Sequence, residues 1–529
     1  MALDRRAAEL MVQGRDLSWL LDQWVQRTPD KTFLIWAPFE GEHRQWTYAQ
    51  FDADVRRLAG GLALWGIEKG SRLLIHLENC PELLMAHFAC AQLGAVAVLT
   101  NTRSVERELS YFVELTEATA AITQAQFVEA VAAAGPDLKF LALTAGCPGA
   151  DSTASNILPW DVLLQTEPLL VARDPEPLLD LRVQFTSGTT SRPKAVLSTH
   201  ANTLFAAQQT AKAYGLQHDD VCQVFVPLFH NNGLATLAMS TLWAGGTVLL
   251  QPRFSASNFW GPALKYGATW TSLPGSFFLS ALAGYEVPDH RFRFWFIAVL
   301  PEVEARYRVK TRGHWGMTET ITIPIVGDPD HPGPPGNIGR PAPGNEIAIR
   351  RGDGSDCGPD ETGDLYVRGV RGITLFKEYL KDPEATTRSF DENGWFSTGD
   401  RIRIDGQGCL FFADRSKDIL RVGGENVAAS EIEAVILRTG WVSECAVVGQ
   451  KHDMLDEVPV AFVVAAADAP QHLESKLIQC CREQLADFKV IRDVHVVEDL
   501  PRSTLQKIAK HRLRESLPLI GGSRRRGAL

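Results

Sequence analysis

QFTSGTTSRPKAVLSTHAN, residues 184–202, sets Thr186, Ser187, Thr189, Thr190 and Ser191 around Gly188 and then places Pro193 and Lys194 before a new apolar run. Short hydroxyl side chains beside a flexible glycine let several backbone N–H and O–H donors converge on one anion, so the stretch reads as a phosphate cradle. Lys194 adds a point charge to it. The pattern is not the common nucleotide loop G-x-x-x-x-G-K-[ST], because Pro193 stands where the second glycine belongs. A different phosphate chemistry is implied. A solvated Ser/Thr turn would read the same way in isolation, so the flanking chain has to decide.

Upstream, from about residue 70, short β-rich runs alternate with helical periods: RLLIHLENC, PELLMAHFACAQLG, AVAVLTN, a polar helix near 105–116, then TAAIT. This is the βαβ rhythm of a parallel sheet covered by helices. Downstream the rhythm resumes with VCQVFVPL, GLATLAMSTLWAG, GTVLLQ, FWGPALKYG, ATWTSL and FRFWFIAVL. The expectation is an α/β protein whose large N-terminal domain contains mixed α/β sheets.

The segment 327–346, GDPDHPGPPGNIGRPAPGNE, is too rich in Pro and Gly for a helix or a central strand, and short alternating strands such as GDLYVRG follow it. A β subdomain is expected over about 327–414. Beyond it, Ser430 and Glu433 have the spacing of a capping box that opens a helix. VSECAVVG, VPVAFVVA, a helix over about 471–486 and DVHVVEDL complete a small α/β unit. The expected division is 1–414 and 415–529.

A chain of 529 residues exceeds the size at which one core stops growing, in agreement with two or more domains. With 45% hydrophobic and 22% charged residues it has the composition of a soluble globular protein. The net charge of −10 argues against a nucleic-acid surface, and the one basic cluster, Arg524–Arg526, lies in a tail expected to be disordered and to aid solubility. Nine cysteines without a C-x-x-C pair predict reduced thiols in a cytoplasmic protein, with no zinc site. The start, MALDRRAAEL, has no long apolar core and so is not expected to be a secretory signal, and no 18-residue apolar run suggests a membrane span.

Four further patches stand out: GHWGMTET at 313–320, GWFSTGD at 394–400, DRSKDILRVGGENV at 414–427 and LPRSTLQKI at 500–508. With the opening loop, in this order and spacing, they resemble the adenylate-forming (AMP-binding) superfamily of acyl-CoA synthetases, luciferases and peptide-synthetase adenylation domains. Within it, FTSGTTSRPK, GMTET, FKEY and GGEN are similar to the crotonobetaine/carnitine-CoA ligases, and the likeness runs over nearly the whole chain.

The resemblance implies a two-step reaction. A carboxylate attacks the α-phosphorus of ATP to give acyl-adenylate and pyrophosphate, and the thiol of coenzyme A then displaces AMP. Thr186, Ser187, Gly188, Thr189, Thr190 and Lys194 would bind the leaving phosphates, since attack of one anion on another needs neutralising charge. Glu319 would hold Mg²⁺, a hard-cation task suited to a carboxylate, and Thr318 would bond the α-phosphate. Trp315 and Gly316 would lie against adenine, Asp400 would accept the ribose hydroxyls, and Arg415 would reach ribose or phosphate. Each has a plainer structural alternative: a helix-start carboxylate for Glu319, a core residue for Trp315, a self-satisfied turn for Asp400.

By the same resemblance Lys417 is the hinge about which the small domain swings, and Lys507 is the mobile catalytic lysine. Gly423, Gly424 and Glu425 would face the pantetheine arm of coenzyme A. Phe229, His230, Asn231 and Gly233, in VPLFHNNG, would line the acyl pocket, with His230 at its mouth, whereas Trp243, Trp260 and Trp270 read as core. The chain departs from the pattern at Ala195 and Gln506, where glycine is usual, and around FIAVLPEVEA, which lacks the usual Gly-Gly/Ala-x-x-L element. An amine or carrier-protein acceptor, and a regulatory protein that retains the cradle without catalysis, are the rival readings. The expected partners are a small carboxylic acid, ATP and coenzyme A, without nucleic acid; a homodimer stays open.

Overall fold

The computed structural model describes residues 5–144, 156–169, 173–186, 192–273, 276–415, 419–501, 508 and 510–517. The stretch with the βαβ rhythm folds into an eight-stranded sheet. Across it the strands run Glu378–Tyr379, Lys194–Thr199, Asp180–Thr186, Val96–Leu99, Arg72–His76, Ala120–Thr123, Leu141–Leu143 and Ile157–Pro159. Arg72–His76 pairs in parallel with both Val96–Leu99 and Ala120–Thr123, a geometry that needs crossovers. The helices Pro81–Leu93 and Glu106–Thr116 supply them. Pro81 opens the first of these where a missing N–H costs nothing, and Gly94 closes it at φ +72°. Leu83 to Gln92 are all buried, because a helix apolar on every side must be covered on every side.

A seven-stranded sheet carries the second rhythm, in the order Lys310–Arg312, Phe294–Phe296, Trp270–Ser272, Val221–Val224, Thr247–Leu250, Thr32–Trp36 and Arg44–Thr47. Its pairs are parallel except the last. Trp270, Trp295, Phe296 and Phe33 are fully buried in the joint core; Trp260 is buried there too, and Trp243 packs against its edge.

An antiparallel four-stranded sheet follows: Glu346–Arg350, Thr362–Arg368, Trp395–Ile404 and Leu410–Arg415. Between 327 and 345 the strand is Arg340–Pro341, two residues at the edge of a small three-stranded sheet, which suits a Pro-rich segment. The last sheet has Glu425–Ala428, Ile419–Val422, Asp456–Ala465 and Val442–His452 in order, with Asp493–Val496 beside Asp456–Ala465. Helices Ala429–Arg438 and Leu473–Gln484 bury Ile432, Ile436, Leu477 and Cys481 against it. Among the described residues no helix is long and apolar enough to cross a membrane.

Two local expectations change. The helix expected to open with a capping box starts at Ala429, which puts Ser430 inside its first turn. Glu433 is drawn elsewhere: its Oε1 accepts from the Val447 N–H at 2.6 Å and lies 2.7 Å from Lys510 Nζ. The run GLATLAMSTLWAG is a π-helix over Asn232–Met239 before it becomes α-helical at Ser240–Ala244. Wide turns of this kind recur at functional sites.

Candidate active site

Thr186 and Lys194 face each other at the end of an antiparallel pair, so the hydroxyl-rich loop is the link that closes this hairpin. Ser187, Gly188, Thr189, Thr190, Lys417, Gln506 and Lys507 lie outside the described residues. Lys194 Nζ sits 4.3 Å from the centre of the Tyr379 ring, within cation–π range. The Tyr379 hydroxyl in turn donates to Glu319 Oε1 at 2.9 Å. Glu319 is buried, and burial together with the Glu319 charge pushes the Tyr379 hydroxyl well above the ordinary tyrosine range. The loop lysine and the buried carboxylate are thereby joined through one aromatic ring. Tyr379 belongs to FKEY, yet nothing in that motif announces the contact; it arises because Glu378–Tyr379 pairs with the strand that follows the loop.

Trp315 and Asp400 are buried together, and the indole Nε1–H donates to Asp400 Oδ2 at 2.9 Å. The antiparallel register sets Arg415 directly opposite Asp400. Gly316 is exposed, and a Cβ there would meet the Thr322 carbonyl at 2.9 Å. Thr318 follows in the same turn, where its carbonyl accepts from Asn231 Nδ2 at 3.1 Å.

Asn231 is itself held by a residue that the motifs do not include. Arg182 is fully buried, and its guanidinium donates to Asn231 Oδ1 at 2.9 Å, Thr203 Oγ1 at 2.8 Å and Gln184 Oε1 at 3.1 Å. Gln184 completes the frame by donating to the Phe229 carbonyl at 2.7 Å. Burial lowers the Arg182 pKa to about 9, which leaves it protonated at neutral pH. The signal available was an arginine between Leu181 and Val183 in the strand that leads into the loop. Phe229 is buried beside His230, their rings 4.7 Å apart. Gly233, in the first turn of the π-helix, lies so close to the loop before it that a Cβ would sit 2.4 Å from the Pro227 carbonyl oxygen. Gly233→Ala is accordingly expected to lower stability by about 1–3 kcal/mol, the range for overpacking, seen as an earlier midpoint in urea. An unchanged midpoint would mean the Val226–Pro227 loop can give way.

Gly423 and Gly424 form the two-residue turn between paired Val422 and Glu425, with φ +58° and +85°. Both angles suit a type I′ hairpin, which glycine adopts without strain. The turn alone accounts for both glycines; Gly424 also has open space where a Cβ would be. The hairpin carries Glu425 to His230: Nε2 lies 3.1 Å from Oε2 and 3.3 Å from Oε1. Burial acts to lower the His230 pKa, but the Glu425 charge and hydrogen bond outweigh it and the net direction is upward. Glu425, against its own burial, is held below the usual glutamate value. The pair is therefore charged above the lowered Glu425 pKa and is lost as pH rises through the raised His230 pKa. In Glu425→Gln burial acts alone, so His230 should titrate below its ordinary 6.5 in the variant and above it in the parent, as read by histidine ring NMR. Identical titrations in the two proteins would dismiss the contact.

A buried carboxylate tied through a tyrosine to a lysine, a buried tryptophan–aspartate pair, and a histidine met by a glutamate from the C-terminal part form the polar cluster of an enzyme site. The chain belongs to the AMP-binding enzyme family, which matches residues 21–380, with the AMP-binding enzyme C-terminal domain matching residues 431–507. A crotonobetaine/carnitine–CoA ligase of Salmonella arizonae is 33% identical over 525 residues, covering 95% of this chain and 100% of that protein. A double mutant of the o-succinylbenzoate CoA synthetase of Bacillus subtilis, bound with its product analogue, matches with TM-score 0.79 and 27% identity over 94% of this chain and 98% of that one. The same Bacillus enzyme in complex with ATP and magnesium ion matches at TM-score 0.66 and 28% identity, with the same coverage.

Proposed function

We propose that this protein is an AMP-forming acid–thiol ligase that activates a carboxylic acid with ATP and passes the acyl group to coenzyme A. The observation that carries this reading is the meeting of Lys194, Tyr379 and Glu319 at the mouth of the hydroxyl-rich loop, in a chain whose two family matches cover both parts of such an enzyme. In the first step the substrate carboxylate attacks the α-phosphorus of ATP, the bond to the β-phosphate oxygen breaks, and pyrophosphate leaves with the electron pair. Lys194 and the loop donors neutralise the leaving group, and Thr318 bonds the α-phosphate. Asp400 and Trp315 seat the nucleoside, with Arg415 opposite them. In the second step the thiol of coenzyme A attacks the acyl carbon and AMP leaves. Here His230 stands at the acyl end, and the hairpin Gly423–Gly424 brings Glu425 to it. The Bacillus comparison supports this pose as that of thiol transfer, since the likeness is greater to the product-analogue complex than to the ATP complex.

Magnesium fits one carboxylate here. Glu319 is buried and offers a hard oxygen donor, and among the described residues no cluster of three or more His, Cys, Asp or Glu forms an all-protein cage. That is the usual manner of Mg²⁺, which takes one or two carboxylates plus substrate phosphate oxygens. Bound there, it would supply charge neutralisation on the phosphates. We place the division between the two moving parts at 414/415, at the end of strand Leu410–Arg415, with the pivot at Lys417.

The test is pyrophosphate release from ATP with a panel of carnitine-like, aromatic, alicyclic and medium-chain acids, with and without coenzyme A. Acid-dependent release followed by thioester formation supports the ligase. Release with transfer only to an amine would move the acceptor, and ATP binding without release for any acid would leave a nucleotide-binding protein.

A further inference from the structure

The two parts of the chain also meet through a buried ion triad that the chemistry above does not use. Lys489 closes the short turn Asp487–Lys489, and its Nζ lies 2.6 Å from Glu108 Oε1 and 2.9 Å from Glu431 Oε1. All three side chains are at most 8% exposed. Glu431 sits on helix Ala429–Arg438 of the small part, whereas Glu108 sits on helix Glu106–Thr116 of the large part. Two carboxylates thus share one ammonium across the joint. Burial pushes the Glu431 carboxyl up against the pull of Lys489, and the Glu108 charge adds to that push. Glu108 tolerates its burial at this joint only while Lys489 faces it, since a buried charge without its partner is strongly unfavourable. Around them Arg103 pairs with Asp487 at 2.9 Å and lies 4.8 Å from the Phe488 ring centre, and Arg107 donates to Gln484 at 2.6 Å.

The same large-part helix also touches residues that flank the hydroxyl-rich loop. The Tyr111 hydroxyl donates to the Pro193 carbonyl at 3.2 Å, and Phe112 stacks on Phe185 at 3.8 Å. From this joint we infer that Glu108 is a positioning residue for thiol transfer: it recruits the Lys489–Glu431 pair and so holds the small part in the pose that brings Glu425 to His230. The inference rests on the two-step reading. Because Lys489 and Glu431 travel together, swinging the small part away for adenylation would leave their pair intact and release only Glu108.

Glu108→Gln is the variant of choice. Glu108 Oε2 also accepts from the Val105 N–H at 3.3 Å at the start of its helix, and a glutamine oxygen keeps that bond while removing the charge. In the full-length protein, thioester formation from synthetic acyl-adenylate and coenzyme A should fall at least about tenfold, and pyrophosphate release should stay within about twofold, with melting unchanged. Lys489→Glu alone would crowd three carboxylates and be worse; adding Glu108→Lys restores an ammonium between two carboxylates and should recover part of the thioester rate. Hydrogen–deuterium exchange, which needs no substrate, should quicken around residues 103–109 and 486–490 in Glu108→Gln. Absence of both half-reactions in the parent would count against the ligase reading alone, with the exchange result still deciding the joint. Exchange unchanged in Glu108→Gln, equal loss of both half-reactions, or no recovery in the double variant would overturn the inference.

Discussion

Lys507→Ala should reduce pyrophosphate release by about 10²-fold or more while leaving the enzyme able to make thioester from synthetic acyl-adenylate and coenzyme A. An ammonium is a compact positive charge, and aimed at the developing negative charge of the adenylation transition state it supplies stabilisation of that size. Its neighbours explain why the effect should fall on one step. Leu500 and Leu513 are buried in a small cluster with Val448, Val460 and Phe462, and Ile508 packs against it. The segment is therefore fastened to the small part on both sides of Lys507, and the lysine must travel with it. In the pose described, Glu425 meets His230, the arrangement we propose for the second step. Stopped-flow measurement of the two half-reactions separates the cases. A variant that adenylates at the parental rate, or one that is folded and fails equally at both steps, would remove Lys507 from the mechanism.

Glu319→Gln should cost a similar factor in pyrophosphate release and should raise the magnesium concentration needed for half-maximal rate. The substitution keeps an oxygen for the Tyr379 hydroxyl, which donates to Glu319 Oε1, and removes only the negative charge. With that charge gone, the Tyr379 hydroxyl loses one of the causes that raise its pKa, although burial, the larger cause, remains. A large kinetic loss with unchanged melting thus isolates charge from packing. Parental turnover together with a parental magnesium dependence would show that Glu319 does not hold the metal.

What the linear chain made legible was local. The β-rich and helical periods from residue 70 placed Arg72–His76, Pro81–Leu93, Val96–Leu99, Glu106–Thr116 and Ala120–Thr123, because side-chain periodicity is a property of a few neighbouring residues. Those same periods could not separate a π-helix from an α-helix over Asn232–Met239, since the difference is under one residue per turn. Nor could they weigh Gly423 and Gly424, whose positive φ angles serve a tight hairpin whether or not a ligand passes.

By itself, then, the sequence determined the α/β class, the succession of most strands and helices, and the ordered motifs that mark an AMP-binding enzyme. Tertiary structure alone decided which of those residues touch. Trp315 and Asp400 are 85 positions apart, His230 and Glu425 are 195 apart, and Lys489 and Glu108 are 381 apart. No period or propensity reaches over such distances. Pairings of this kind depend on strand order, register and the docking of one part on the other, and burial then sets their energy by removing the water that would otherwise screen each charge.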